Sequence, residues 1–212
     1  MSLQRGQVYV ISAPSGTGKT SLVKALLERN STVQVCVSHT TRKIRPGEID
    51  GLNYFFISRQ NFKKMLSDDQ FIESAEVFGH LYGTSKREAN QILSSGRHII
   101  LEIDWQGALQ VKASMPNSQM IFILPPSLAT LRQRLVNRNQ DDRNTVERRL
   151  TGAIEEIRHH HRFDFLLVNN LFDTTLQALE QILFSDGSTF SHDAQLTELA
   201  PLINQLLVEP LN

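Results

Sequence analysis

The sequence predicts an α/β fold: a parallel core sheet flanked by helices, with a small mixed α/β subdomain inserted into it. Three observations lead there. Apolar, β-branched runs at 8–11, 97–104, 120–124 and 165–168 alternate with segments whose leucines recur at helical spacing, as expected for strands covered on both faces by crossover helices. A Gly/Ser/Thr-rich stretch sits at the first strand-to-helix junction. Smaller strand-like runs, Tyr54–Ile57 and Phe71–Phe78, interrupt the series around a short helical segment at 59–66, which reads as an insertion. At 212 residues, 40% hydrophobic, the chain is long enough to bury one substantial domain and too short for two full ones.

The first junction carries the strongest chemical signal. Val8, Tyr9, Val10 and Ile11 form a buried strand, Leu22, Val23, Leu26 and Leu27 mark a helix, and between them lies Ala13-Pro14-Ser15-Gly16-Thr17-Gly18-Lys19-Thr20. Gly16 and Gly18 permit positive φ and close approach of the backbone, so successive N–H groups converge at a helix N-terminus, a nest suited to a polyphosphate. Lys19 reaches the β- and γ-phosphates as a mobile point charge, and the Thr20 hydroxyl ligates the Mg²⁺ that bridges them. The usual pattern opens with glycine where this chain has Ala13, which is tolerable if φ there is negative.

Composition sets the bounds. Twenty-two Lys+Arg balance twenty-two Asp+Glu, so net charge gives no reason to bind nucleic acid or an acidic membrane. The single cysteine, Cys36, cannot form an internal disulfide and reads as a buried core thiol. No stretch approaches 18 apolar residues and the N-terminus has no apolar leader, so the expected location is the cytoplasm, with no membrane partner.

Taken in order, Val33, Val35 and Val37 alternate as a strand ending at Ser38, and 39–51 reads as an exposed loop of turn formers. Two readings of its basic residues stay open: Arg42, Lys43 and Arg45 as a solvated loop, or the arginines as a guanidinium clamp on a phosphate monoester. Residues 77–85 hold two glycines around a tyrosine, then a helix N-cap at Thr84 or Ser85. The strand at 97–104 ends in Glu102 and Asp104. Carboxylates at a strand's carboxyl end hold Mg²⁺ or its waters, or a substrate donor, and they also serve as caps for the helix near Trp105.

From 127 to 162 the pattern is helical and basic, with eight arginines against five acids, as fits a lid closing on phosphates. His159, His160 and His161 spread around a helix and read as surface residues. A last core strand, Phe165–Val168, is followed by Asn169-Asn170 and a helix at about 174–184. Leu196, Leu199, Leu202, Ile203, Leu206 and Leu207 form an amphipathic terminal helix, kinked at Pro201 and available for packing on its own domain or on a second copy.

Together these residues resemble the guanylate kinase family. The resemblance covers about 5–185 and rests on Pro14–Thr20, Ser38-His39-Thr40-Thr41-Arg42 with Arg45-Pro46-Gly47-Glu48, Phe78-Gly79 with Tyr82-Gly83-Thr84, Leu101-Glu102-Ile103-Asp104-Trp105-Gln106-Gly107, and Val168-Asn169. It implies the P-loop nucleoside-monophosphate kinase fold, with a core at 1–38 and 89–185, a GMP-binding subdomain at 39–88, a lid at about 138–150 and a tail at 186–212. It further implies ATP-dependent phosphorylation of GMP and dGMP, with Mg²⁺. By position, Arg42, Arg45, Tyr54 and Tyr82 hold the GMP phosphate. Ser38, Glu73, Thr84, Asp104 and Glu102 address the base, its surroundings or the waters of Mg²⁺. By the same resemblance, Lys19 with Mg²⁺ would neutralise the β/γ oxygens, and Arg138 and Arg149, with Arg42, would stabilise the γ-phosphoryl in flight. The loop from Ala13 through Ser21, Arg134 and Asn169 hold ATP, with Asn169 bordering the adenine.

The chain departs from the family pattern at Asn137 and Asn139, which replace glycines beside Arg138, at Arg143-Asn144 in place of an acidic pair, and at Asn170 in place of an acid. Two other readings use the same scaffold. One is a kinase for ribose 1,5-bisphosphate or a similar metabolite, which has no use for a Glu73–Thr84 pair. The other is a catalytically silent phosphopeptide-binding module, which has no use for Lys19 and Thr20.

Overall fold

In the computed structural model, residues 5–77, 79–137 and 143–208 are described, without the side chains of residues 137, 143 and 144. Arg138 and Phe78 therefore lie outside the described residues, as do the side-chain departures at 137, 139, 143 and 144.

The chain forms β1 (Val8–Ser12), α1 (Lys19–Arg29), β2 (Val33–Val35), β3 (His39–Thr40), β4 (Phe55–Phe56), α2 (Arg59–Ser67), β5 (Phe71–Val77), β6 (His80–Ser85), α3 (Lys86–Ser94), β7 (His98–Glu102), α4 (Trp105–Ser114), β8 (Gln119–Leu124), α5 (Leu128–Asn137), α6 (Arg143–Arg158), β9 (Phe165–Val168), α7 (Phe172–Phe184) and α8 (His192–Val208). Five strands run in the order β2-β7-β1-β8-β9 and four in the order β4-β3-β6-β5. Two compact units divide the chain, Met1–Val10 with Ser31–Ser118, and Ile11–Asn30 with Gln119–Asn212.

In the first unit β2 pairs parallel with β7, Val33 opposite His98. The predicted strand to Ser38 stops at Val35. After the buried Cys36 the chain crosses to the second sheet, where His39 and Thr40 pair parallel with β4 and antiparallel with β6. The expected exposed loop thus begins with buried residues, because β3 is the strand on which that small sheet is assembled. β6 was not legible as a strand, since its sequence has no alternation of apolar residues; it forms by hairpin pairing with β5. Phe62 of α2 stacks on Phe71 of β5 with ring centroids 4.5 Å apart, giving the small sheet its own apolar core.

In the second unit β8 and β9 pair parallel, Ile121 opposite Phe165. The α6 residues Val146, Leu150, Ala153 and Ile157 recur at helical spacing and are all buried. Leu199, Ile203 and Leu206 of α8 are buried too, with α8 packed on α6 and β9, so the apolar stripe of the tail is used within its own unit. The histidine run departs from the surface reading: α6 ends at Arg158, and the half-buried His160 ring stacks on His192 at 5.4 Å, tying the start of α8 to the turn before β9. No helix among the described residues is long and apolar enough to cross a membrane.

Candidate active site

The glycine loop at 13–20 belongs to the second unit. α1 starts at Lys19, with Thr20 in its first turn, and its N-cap is Gly18 at φ 103°. A side chain is excluded there twice over: the φ is left-handed, and a Cβ would lie 2.6 Å from Asn169 Nδ2. Ala13 is buried with φ outside the positive region, so the departure from glycine is accommodated without strain.

Arg134 and Asn169 converge on this loop. The Thr17 carbonyl accepts from Asn169 Nδ2 at 2.7 Å and from Arg134 Nη1 at 3.0 Å, while Arg134 Nη2 donates to the Asn169 carbonyl at 3.2 Å. β9 delivers Asn169, whose own N–H is held by the Leu124 carbonyl at 2.9 Å. Arg149 sits half-buried on α6, and α6 is braced against α5 by an Arg132–Glu147 ion pair at 2.5 Å.

A polar pocket is built in the first unit. Glu73 lies on β5 directly across from Thr84 on β6 because a bulge between Phe71 and Glu73 shifts the register by one residue. Without that extra residue Thr84 would face a different neighbour; the bulge is what places carboxylate and hydroxyl on the same face. The buried Thr84 hydroxyl donates to Glu73 Oε1 at 2.6 Å, and Ser38 Oγ lies 3.4 Å from Thr84 Oγ1. Burial pushes the Glu73 carboxyl up to about 7; the Thr84 hydrogen bond opposes this and the charge of Asp104 adds to it.

Asp104 is the N-cap of α4, its Oδ1 accepting the Gly107 N–H at 2.9 Å. This brings the first turn of α4 beside the carboxylate: a Cβ on Gly107 would lie 3.1 Å from Glu73 Oε2. Gly107 had no assigned role in the sequence, and only the contact shows that its missing side chain leaves room around that oxygen.

The arginine loop is neither fully solvated nor open. Arg42 is buried and grips Glu48 with both prongs, Nη1 to Oε2 at 3.0 Å and Nη2 to Oε1 at 2.6 Å, while Nη1 also donates to the Lys43 carbonyl. Its guanidinium lies 5.4 Å from the Tyr54 ring centroid and 5.6 Å from that of Phe56, and Tyr54 meets Tyr82 edge-on at 5.9 Å. The Glu48 hydrogen bonds raise the Arg42 pKa, and Arg42 in turn holds the Glu48 carboxyl below its usual range. Glu48 also accepts the Arg45 N–H at 2.7 Å, while the Arg45 side chain is exposed. Within its motif Glu48 carries no role legible from sequence; an acid six residues after Arg42 is the available signal. No group of three or more metal-type ligands occurs among the described residues.

Residues 5–186 match the family model described as guanylate kinase. The guanylate kinase of Hahella chejuensis is 52% identical over 180 residues, 85% of this chain and 86% of that protein. That of Pseudomonas syringae pv. tomato is 46% identical over 210 residues, 95% of this chain and 97% of its own. The crystal structure of guanylate kinase from Anaplasma phagocytophilum superposes with a TM-score of 0.71 at 32% identity, covering 99% of this chain and all of the other. Matched by the family model over residues 5–186, and with relatives 46–52% identical covered over most of their length, the chain belongs to the guanylate kinase family.

Proposed function

We propose that the protein transfers the γ-phosphoryl group of ATP to GMP, and to dGMP, by direct in-line displacement, yielding the diphosphate for purine nucleotide metabolism in the cytoplasm. The observation that carries the choice of substrate is the buried Glu73–Thr84 pair. Guanine presents N1–H and the N2 amino group as adjacent donors, which one carboxylate accepts together, while a hydroxyl donates to O6. On binding, Thr84 turns its proton from Glu73 to O6, and two donors from the base replace the one given up. Adenine sets a lone pair at N1 against the carboxylate. A site of buried hydrogen bonds rejects such a base by leaving polar groups unpaired, an effect that reaches about 10⁴-fold.

No general base is required, because the acceptor is a phosphate oxygen that is already anionic; alignment and positive charge do the work. In this reading residues 39–88 are the GMP-binding subdomain. Arg42, held by Glu48, joins Arg45, Tyr54 and Tyr82 at the GMP phosphate, with Ser38 beside the base. In the loop from Ala13 to Ser21, backbone N–H groups and Lys19 take the ATP phosphates. Arg138 and Arg149, on the proposed lid at about 138–150, meet the charge that spreads over the phosphoryl oxygens. The Thr20 hydroxyl, a hard oxygen donor at the start of α1, suits Mg²⁺, with Glu102 and Asp104 acting through water. A metal held mainly by substrate phosphates and waters fits a chain whose described residues offer no all-protein cage. When bound there, Mg²⁺ would supply positive charge against the ATP phosphate oxygens.

The ribose 1,5-bisphosphate alternative has no support: the family model and the matched relatives are guanylate kinases. The test is ADP formation from MgATP with GMP, dGMP, AMP, UMP and ribose 1,5-bisphosphate offered separately. Turnover with GMP and dGMP and little with the others is expected; turnover with the sugar bisphosphate and none with GMP would overturn the assignment.

A further inference from the structure

We propose that Asn169 and Arg134 are positioning residues that aim the phosphate loop, acting through the Thr17 carbonyl. The inference rests on reading this loop as the site of the ATP phosphates. Both side chains spend donors on one oxygen, Asn169 Nδ2 at 2.7 Å and Arg134 Nη1 at 3.0 Å, and Arg134 Nη2 closes the arrangement on the Asn169 carbonyl at 3.2 Å. Thr17 is fully buried and Asn169 nearly so, which keeps water from competing for these bonds.

The consequence follows from peptide geometry. The Thr17–Gly18 peptide is planar and trans, so its N–H points opposite to its C=O. Fixing the carbonyl toward Asn169 and Arg134 therefore turns the Gly18 N–H away from them, to the other side of the loop. Gly18, the left-handed cap of α1, would otherwise be the freest peptide in the loop. Asn169 also closes the space beside it, since a Cβ on Gly18 would lie 2.6 Å from its Nδ2. The amide orientation is fixed by the same contact, because an Oδ1 facing the Thr17 carbonyl would set two acceptors together. Arg134 suits the task because its planar fork spans two carbonyls, Thr17 and Asn169, which a lysine ammonium on a single stem cannot do with the same geometry.

A residue that aims the loop and a residue that touches adenine differ in one respect: the first affects a ligand that has no adenine. The experiment is calorimetric titration of the full chain with magnesium tripolyphosphate, in the wild type and in Asn169→Ala and Arg134→Lys, with GMP and MgATP titrated in parallel. Both substitutions leave net charge unchanged, so a loss of anion binding reports geometry. Each variant is expected to weaken tripolyphosphate binding about tenfold, the effect of one or two lost hydrogen bonds on the loop, with GMP affinity changed less than about twofold. Retained GMP binding also shows that the variants are folded, and Arg134→Lys carries the test alone if Asn169→Ala does not fold. Unchanged tripolyphosphate binding beside weakened MgATP binding would overturn the inference and make both residues adenine contacts. Failure of the wild type to bind tripolyphosphate would overturn the reading of the loop itself.

Discussion

Under the proposed function, the glycine loop and the Glu73–Thr84 pocket solve opposite problems. In that reading the loop takes a group common to all nucleotides and does so with backbone: its glycines adopt positive φ, and Arg134 and Asn169 reach its Thr17 carbonyl. The pocket, in the same reading, tells one base from another with side chains whose polar atoms are buried, Glu73 and Thr84 above all. A backbone nest attracts any phosphate of suitable size, and its strength comes from charge and dipoles. A buried carboxylate is costly when it lacks partners, and that cost is the source of discrimination. Damage to the loop should therefore abolish chemistry for every acceptor, whereas damage to the pocket should change which acceptor is used.

Substitutions can break that contrast. The largest effect is expected for Lys19→Ala, with kcat lowered about 10³-fold or more for all acceptors in a protein whose circular dichroism and GMP affinity are retained. A selective loss with GMP alone would contradict the division. Glu73→Ala should lower kcat/KM for GMP about 10²- to 10³-fold while changing MgATP affinity less than about twofold, as steady-state kinetics at varied GMP and ATP would show.

Titration sharpens the contrast further. With the Glu73 carboxyl raised from 4.5 to about 7, the folded chain holds, between those values, a proton that the unfolded chain has released. The shift is upward, so its contribution to stability is full below the ordinary value near 4.5 and is lost as pH rises through 7, by about 3 kcal/mol for the unliganded protein. Guanine needs the ionised form, so GMP binding should tighten as pH rises from about 6 to 8, up to about tenfold per unit below 7. Glu73→Gln should flatten this part of the profile, leaving only the titration of the GMP phosphate. A wild-type profile matching the Gln variant would place the proton elsewhere.

The smallest effect is expected for Gly107→Ala. A methyl group 3.1 Å from Glu73 Oε2 requires a shift of a few tenths of an ångström. A helix-favouring alanine offsets part of the strain. KM for GMP should rise about fivefold with kcat and melting temperature little changed, because a small displacement at a polar contact costs orientation more than stability. An unchanged KM would show that the carboxylate can move without loss.

The two regions also differ in how far they were legible in the sequence. Strand, glycine loop, Lys19-Thr20 and helix are contiguous, so residue type and order suffice to place the loop between β1 and α1. β1, β7, β8 and β9 of the large sheet announce themselves by apolar runs, as burial on both faces requires, while the edge strand β2 shows only the Val33/Val35 alternation. The small sheet was read only in part: Tyr54–Ile57 and Phe71–Phe78 mark β4 and β5, whereas β3 has two residues and β6 carries no periodic signal. Glu73 and Thr84 were named through family resemblance. What places them opposite each other is a one-residue bulge, a product of pairing that leaves no mark in composition. Glu48 and Gly107 were visible within motifs yet had no role until Arg42 and Glu73 were seen against them. In the same way, the resemblance assigns Arg134 and Asn169 to ATP, while the structure shows both donating to the Thr17 carbonyl and Arg134 also to the Asn169 carbonyl. Long-range pairing decides all of these, and a sequence shows only neighbours.

The most direct test of the central claim is the ratio of kcat/KM for GMP to that for AMP, measured in the wild type and in Glu73→Ala under saturating MgATP. A wild-type ratio of about 10³ or more that falls by at least about tenfold in the variant, while the rate with AMP holds or rises, is the predicted result. An equal loss with GMP and AMP, leaving the ratio unchanged, would contradict it and place the reading of the base outside the Glu73–Thr84 pair.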